Sequence, residues 1–277
     1  MYLLDLRAFA ASVCLDNNTI WIVGGRDRDS KDRDLATSEF VLAGEWMAHY
    51  GRNMPFTISS HGMVKFDDDT IFIMGGRQNG SVSRQTWIVN PKDNFSIREG
   101  PSMLSERALF SCGKMELNGK SVIIVAGGDW GTSILDTVEI LDPSDEEGWV
   151  WGKISFSFDS FVIYSYLNSG PTLPYKLYGS AMVTSPNGKG VVLVGGYDAT
   201  HMKYSSDLLE LKQSSEEWIV LEQQLQYPRF RHLAFSIPSD LTKATKRSNY
   251  HPPPPPPVED NSAFFNQELI VLHPLEI

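Results

Sequence analysis

Cysteine is nearly missing from this 277-residue chain. Only Cys14 and Cys112 occur, far apart and without metal-ligand spacing. That excludes a disulfide framework and a cysteine-rich zinc site, and it favours a reducing compartment. Long apolar runs are missing too, so no stretch reads as a membrane-spanning helix. Positive charge is in deficit: the formal net charge is −10, which argues against non-specific nucleic-acid binding and suits a soluble chain. The common catalytic signatures are absent as well. There is no H-E-x-x-H, no G-x-S-x-G, no phosphate-binding glycine loop and no G-x-G-x-x-G. His49, His61, His201, His232, His251 and His273 are scattered, so no catalytic set is expected, and no metal or cofactor. Asp27, Asp29, Asp32 and Asp34 crowd into "RDRDSKDRD". As a calcium loop that stretch has Asp32 where the sixth-position glycine belongs and Ser38 where the twelfth-position glutamate belongs. It reads as a solvated mixed-charge loop. The start, "MYLLDLRAFAASVCL", is interrupted by Asp5 and Arg7 and follows no basic segment, so it is not read as a secretory leader. A cytoplasmic protein is expected. Secretion is the alternative, and there the sequons at Asn17, Asn79 and Asn94 would matter.

What the chain does have is a recurring apolar run that ends in two glycines. "IWIVGG", "IFIMGG", "IIVAGG" and "VLVGG" place the pairs Gly24–Gly25, Gly75–Gly76, Gly127–Gly128 and Gly195–Gly196 at spacings of 51, 52 and 68. Recurrence near fifty residues marks a repeat architecture. Before each run stands another short strand pattern, joined to it by a tight polar turn such as Asn118-Gly119 or Asn187-Gly188. After each diglycine come a variable loop, a third strand ("SEFVL", "TWIVNP", "VEILDP", "LLELK") and a fourth element. That element is marked by Trp46, Trp149 and Trp218, with Phe95 standing there in the second unit. Four antiparallel strands per fifty residues are one blade of an all-β propeller. A strand such as "IFIM" is then buried on both faces, and the glycines allow the sharp exit close to neighbouring backbone.

These diglycines, spaced tryptophans and "SSHGMV"-type first strands resemble the kelch-repeat family over about residues 7–236. The resemblance implies a kelch-type β-propeller with units at about 7–55, 56–105, 106–174 and 175–228 and a degenerate fifth from 229, all within 1–240. It also implies a non-catalytic module that binds a protein or peptide through loops, as ubiquitin-ligase substrate receptors and actin-associated scaffolds of the family do. No adaptor domain is recognisable in this chain. Some kelch-type propellers are secreted copper radical oxidases or carbohydrate-binding proteins, which is the alternative; the copper ligands and Cys–Tyr pair of those oxidases cannot be assigned here.

Two places break the pattern. The third spacing is long because of "KISFSFDSFVIYSYLNS", residues 153–169, which reads either as an extra strand or as a retained intron. In the fifth unit "RFRHLAFSIP" looks like a first strand and "ELIVLHP" like a third, within a candidate last strand at 264–277. No diglycine run lies between them. Residues 241–263 read as a linker. Its prolines Pro252–Pro257 form a polyproline II rod, either a plain spacer or a ligand for a proline-recognising domain.

The meander also predicts a binding face. The loop after strand two and the joint into the next unit open at the same end. The first set begins at Arg26, Arg77, Asp129, Trp130 and Tyr197; the second comprises Arg7, Ser59, Arg107, Tyr178, Arg229 and Arg231. Arginine, tyrosine and tryptophan dominate binding hot spots, and the basic residues point to an acidic peptide. The competing reading is that these arginines simply pair with carboxylates.

Overall fold

The computed structural model describes residues 3–27, 33–45, 47–117, 119–143, 149–157, 160–164, 171–185, 187–213, 215, 217–236 and 269–272. Trp46, Asn118, Asp29, Asp32, the 241–263 linker and Pro252–Pro257 lie outside them. Among the described residues there is no helix, hence none long and apolar enough to cross a membrane. Strands account for the architecture.

Three four-stranded antiparallel sheets recur in sequence order, with a five-stranded sheet as the third member. The first runs through Ala11–Cys14, Thr19–Val23, Ser38–Leu42 and His49–Tyr50. The second uses Gly62–Lys65, Ile71–Met74, Thr86–Asn90 and Ser96–Glu99. The fourth uses Ala181–Thr184, Gly190–Val194, Asp207–Lys212 and Ile219–Gln224. In each, consecutive strands pair as a meander, and the strand before the diglycine lies in the middle. That position explains its composition: Ile71, Phe72, Ile73 and Met74 are all fully buried, because neighbouring sheets cover both faces.

The third sheet departs from four strands. Ser111–Leu117, Lys120–Ala126 and Val138–Leu141 are followed by a long outer strand, Trp151–Ser157, and a fifth strand, Ser160–Tyr164. Residues 153–157 and 160–164 of the additional segment thus form a hairpin on the sheet's outer edge. The fifth unit has Leu233–Ser236 paired in parallel with Leu269–Leu272. Within each antiparallel meander the first and third strands run the same way, so a first and a third strand that pair directly do so in parallel.

The diglycines make the junctions. The second glycine N–H donates to a carbonyl of the following unit in every case: Gly25 to Ile58, Gly76 to Arg107, Gly128 to Leu177 and Gly196 to Arg229, at 2.7–2.8 Å. A Cβ on Gly75 would stand 2.6 Å from the Arg107 carbonyl oxygen, and one on Gly76 would stand 2.5 Å from that of Ser59. Both glycines have positive φ, at 56° and 78°. No L side chain meets both demands.

A second junction was not legible in the sequence pattern. At the start of each first strand one residue adopts the left-handed conformation: Phe9, Ser60, Leu109, Gly179 and Arg231. Their backbones hydrogen-bond in series. Ser60 N–H donates to Phe9, Leu109 to Ser60, Gly179 to Leu109 and Arg231 to Gly179, at 2.7–2.9 Å. The first strands of adjacent units therefore stand side by side. The Arg231 guanidinium, from the fifth member of the row, lies 4.7 Å from the ring centroid of Phe9, the first member. No strand pairing joins the first and last sheets among the described residues.

Apolar packing follows the same order. Trp218 Nε1 donates to Pro171, and Trp151 Nε1 donates to Pro101. The counterpart of Trp218 in the third unit is therefore Trp151, which corrects the assignment to Trp149. A two-residue offset keeps a side chain on the same sheet face, so spacing alone cannot separate the two. Trp149 packs instead on Phe72 of the second sheet, at 5.5 Å. Phe95 sits against Trp21 and Phe40 of the first sheet.

Candidate functional site

At the end where each middle strand leaves its sheet, the joint residues and the loop after the diglycine form small antiparallel sheets. Arg7–Ala8 pairs with Arg26–Asp27, which pairs with Arg33–Asp34. Ile58–Ser59 pairs with Arg77–Gln78, which pairs with Ser81–Val82. Leu177–Tyr178 pairs with Tyr197–Asp198, which pairs with Lys203–Tyr204. In the third unit single bridges do the same work, Ala108 to Asp129 and Asp129 to Ile134. Asn79 and Gly80 both have positive φ, as a two-residue turn of this kind requires. The outcome is four equivalent rungs: Ala8–Arg26–Asp34, Ser59–Arg77–Val82, Ala108–Asp129–Ile134 and Tyr178–Tyr197–Tyr204. Of the two sets assigned to one end from the meander, Arg26, Ser59, Arg77, Asp129, Tyr178 and Tyr197 stand in these rungs, and Arg7 pairs one position along with Asp27. Arg107 and Trp130 lie next to the third rung in sequence and, like Arg229 and Arg231, outside this register.

Not all of them face outward. Arg107 is fully buried and makes an ion pair with the equally buried Glu139. Its guanidinium also donates to the Gly127 and Thr137 carbonyls and to the Thr137 hydroxyl. Arg7 repeats the arrangement with Glu39, Gly24 and Thr37, and its side chain is 1% exposed. The glutamates are capped from the other side. Leu4 and Asp5 N–H donate to Glu39, and Leu104 and Ser105 N–H donate to Glu139. Arg7 and Arg107 are therefore removed from the candidate binding surface. Their guanidiniums fill a joint whose backbone carbonyls need donors, and the low dielectric makes the glutamate obligatory. Ser59 is also withdrawn: it is buried and donates to Asp34. Asp34 in turn accepts from Arg26 at 3.2 Å, so Arg26 is partly neutralised.

The remaining rim is led by aromatics. Trp130 and Tyr204 are 47% and 57% exposed. Tyr178, Tyr197, Tyr204 and Phe230 form one cluster, with ring centroids 5.1–6.3 Å apart and mostly tilted or edge-on. The Arg231 guanidinium lies 4.6 Å from the Phe230 centroid while also reaching Phe9. Burial pushes the Tyr178 phenol above its usual range, and the Arg231 charge beside it works in the opposite direction. Burial likewise lowers Arg231, and the neighbouring Tyr178, Tyr204 and Asp129 partly offset it. Tyr204, Phe230 and Phe9 were missed from the sequence. Tyr204 could have been found, because the short hairpin after Gly196 places it opposite Tyr197.

His61 and His232 occupy matching positions and are both buried. Burial holds His61 down to about 3, with neither ring nitrogen hydrogen-bonded. Burial and then the Arg229 charge hold His232 down to about 4. Both are neutral packing groups at ordinary pH. Cys112 is likewise inert, its thiol pushed up to about 12 by burial. Among the described residues no group of three His, Cys, Asp or Glu side chains could hold a metal ion. No protein-family model matches the chain, and neither does any curated protein sequence.

Proposed function

We propose that the chain is a non-catalytic binding module, its sheets being successive blades of a kelch-type β-propeller, and that it takes a protein or peptide partner at the joint end. The four equivalent rungs carry this reading. The same backbone frame is repeated at one end of each sheet, and only its outward side chains change: Arg26, Arg77, Asp129 with Trp130, then Tyr178, Tyr197 and Tyr204. Rigid strands that hold variable loops are the usual way a scaffold supports recognition. The row of left-handed residues and the contact of Arg231 with Phe9 support a ring-like arrangement of the units. With Arg7 and Arg107 committed to buried pairs, the exposed chemistry is more aromatic than basic. An acidic peptide is then met by Arg77 alongside the tyrosines.

The test compares the two ends of the sheets. Arg77→Glu with Trp130→Ala alters the joint end. Asp68→Lys with Lys189→Glu alters the opposite turns, between first and second strands. A partner identified by affinity capture and mass spectrometry is expected to be lost from the first variant and retained by the second. Equal loss from both, or loss only from the second, contradicts the assignment.

A further inference from the structure

The tyrosine rung has a chemistry that arginine-led recognition does not explain. Tyr178, Tyr197 and Tyr204 lie side by side across three strands, and Phe230 packs on all three. Arg231 lies against the same Phe230 ring. The patch thus offers ring faces and edges together with phenolic hydroxyl hydrogen-bond donors. Its complement is a ligand with apolar rings whose polar atoms only accept. A run of prolines is such a ligand. It has no N–H, its polyproline II backbone leaves every carbonyl unsatisfied, and it docks on aromatic-lined surfaces with little ordering entropy to lose.

The chain carries one such run, Pro252–Pro257, followed directly by Glu259 and Asp260. Residues 237–251 separate it from Ser236, the end of the strand that begins two residues after Arg231. Fifteen residues reach roughly 50 Å when extended, enough to return along a four-residue strand to the joint end. We infer that the Tyr178–Tyr197–Tyr204–Phe230 patch is a polyproline II binding site and that its occupant is Pro252–Pro257 of the same chain. This rests on the reading of the joint end as a binding face.

The test uses the full chain and a synthetic peptide, His251–Asp260, with an N-terminal fluorophore followed by anisotropy. In one version of the chain the six prolines are replaced by alternating Gly and Ser. The peptide is expected to bind that version and to bind the unaltered chain at least about tenfold more weakly, because the tethered segment competes at an effective concentration near millimolar. Adding Tyr204→Ala to the Gly-Ser chain should weaken binding by about tenfold while lowering the melting temperature by no more than a few degrees, since Tyr204 is 57% exposed and loses only its ring contacts with Tyr197 and Phe230. A peptide with alternate prolines replaced by alanine should bind equally poorly. No binding to the Gly-Ser chain, or binding indifferent to Tyr204→Ala, overturns the site. An unaltered chain that is dimeric, and that the Gly-Ser replacement makes monomeric, overturns the same-chain assignment. If the captured partner still depends on Arg77 and Trp130 while the peptide fails, the polyproline inference falls and the binding face stands.

Discussion

The joints of the first and third units differ in chemistry from those of the second and fourth, although all four hold the same backbone geometry. In the odd units a buried arginine reaches a glutamate on the third strand: Arg7 to Glu39, and Arg107 to Glu139. The participating residues Leu4, Arg7, Thr37 and Glu39 recur one hundred positions later as Leu104, Arg107, Thr137 and Glu139. In the even units Ile58 and Leu177 stand where the arginines were, and Trp87 and Leu209 stand where the glutamates were. Aromatics complete those joints. Phe56 stacks on Trp87 at 4.5 Å, and the Tyr175 hydroxyl donates to Asp207 at 2.9 Å. The first-glycine carbonyl shows what must be preserved. Arg7 serves it in the first unit, Arg107 in the third and the Gln78 amide in the second. Space must be filled and the carbonyl given a donor: a buried ion pair does both in the first and third units, whereas in the second apolar side chains fill the space and the Gln78 amide donates.

The largest effect is expected where that comparison is broken on one side only. Arg107→Leu leaves Glu139 buried without its counter-charge and should cost about 3–5 kcal/mol. Adding Glu139→Leu copies the Leu177 and Leu209 pair of the fourth unit. It should recover part of the loss, the Leu104 and Ser105 amides still lacking an acceptor. Urea midpoints of the two variants measure the difference. A double variant less stable than the single one would show that the joints are not interchangeable.

Gly75→Val should cost about 3 kcal/mol, since left-handed strain and the clash with the Arg107 carbonyl add together. Gly80 has positive φ but open space around it, so Gly80→Val should cost about 1–2 kcal/mol, from strain alone. Equal melting temperatures for the two variants would deny the junction role of the diglycine.

Acid separates the units in another way. His61 in the second unit and His232 in the fifth have depressed native values, whereas the unfolded chain takes up protons below about 6.5. Below that pH the unfolded state binds more protons. Stability therefore falls as pH drops from 6.5, toward about 4 for His232 and about 3 for His61, by up to ~1.4 kcal/mol per pH unit for each. His61→Phe, which copies Phe110 of the third unit, should flatten the slope of stability against pH between 6 and 4. An unchanged slope would place the acid sensitivity elsewhere.

The smallest effect concerns the third sheet's extra hairpin. Trp151 and Gly152 alone pair the outer strand with Val138–Leu141. Deleting Lys153–Ser169 keeps them and should shift the melting temperature by only a few degrees. Loss of cooperative unfolding would make the hairpin part of the core.

How far the sequence was readable follows from which constraints repeat as residue types. The diglycines were legible because backbone approaches at every junction, so each unit needs the same residue. The left-handed row was not, because only Gly179 of its five members is glycine; Phe9, Ser60, Leu109 and Arg231 are held there by serial hydrogen bonds between units. Strand order fixes an end for each residue, so the joint end was readable. Side-chain direction at that end was not. Arg7 and Arg107 looked like rim residues because their glutamates lie thirty-two positions away and show no local pattern. The hundred-residue echo was the available signal. Phe230 joins the tyrosines only through the seating of the fifth unit beside the fourth, which no linear motif encodes.

The claim on which the rest depends is that odd and even joints hold the five units in one hydrogen-bonded row. Amide hydrogen exchange followed by NMR tests it directly at Ser60, Leu109, Gly179 and Arg231. The account predicts that these four amides are protected together, at rates close to those of the middle-strand amides of Ile73 and Ile124. Exchange as fast as that of the open-turn amides Gly80 and Gly119 would contradict it.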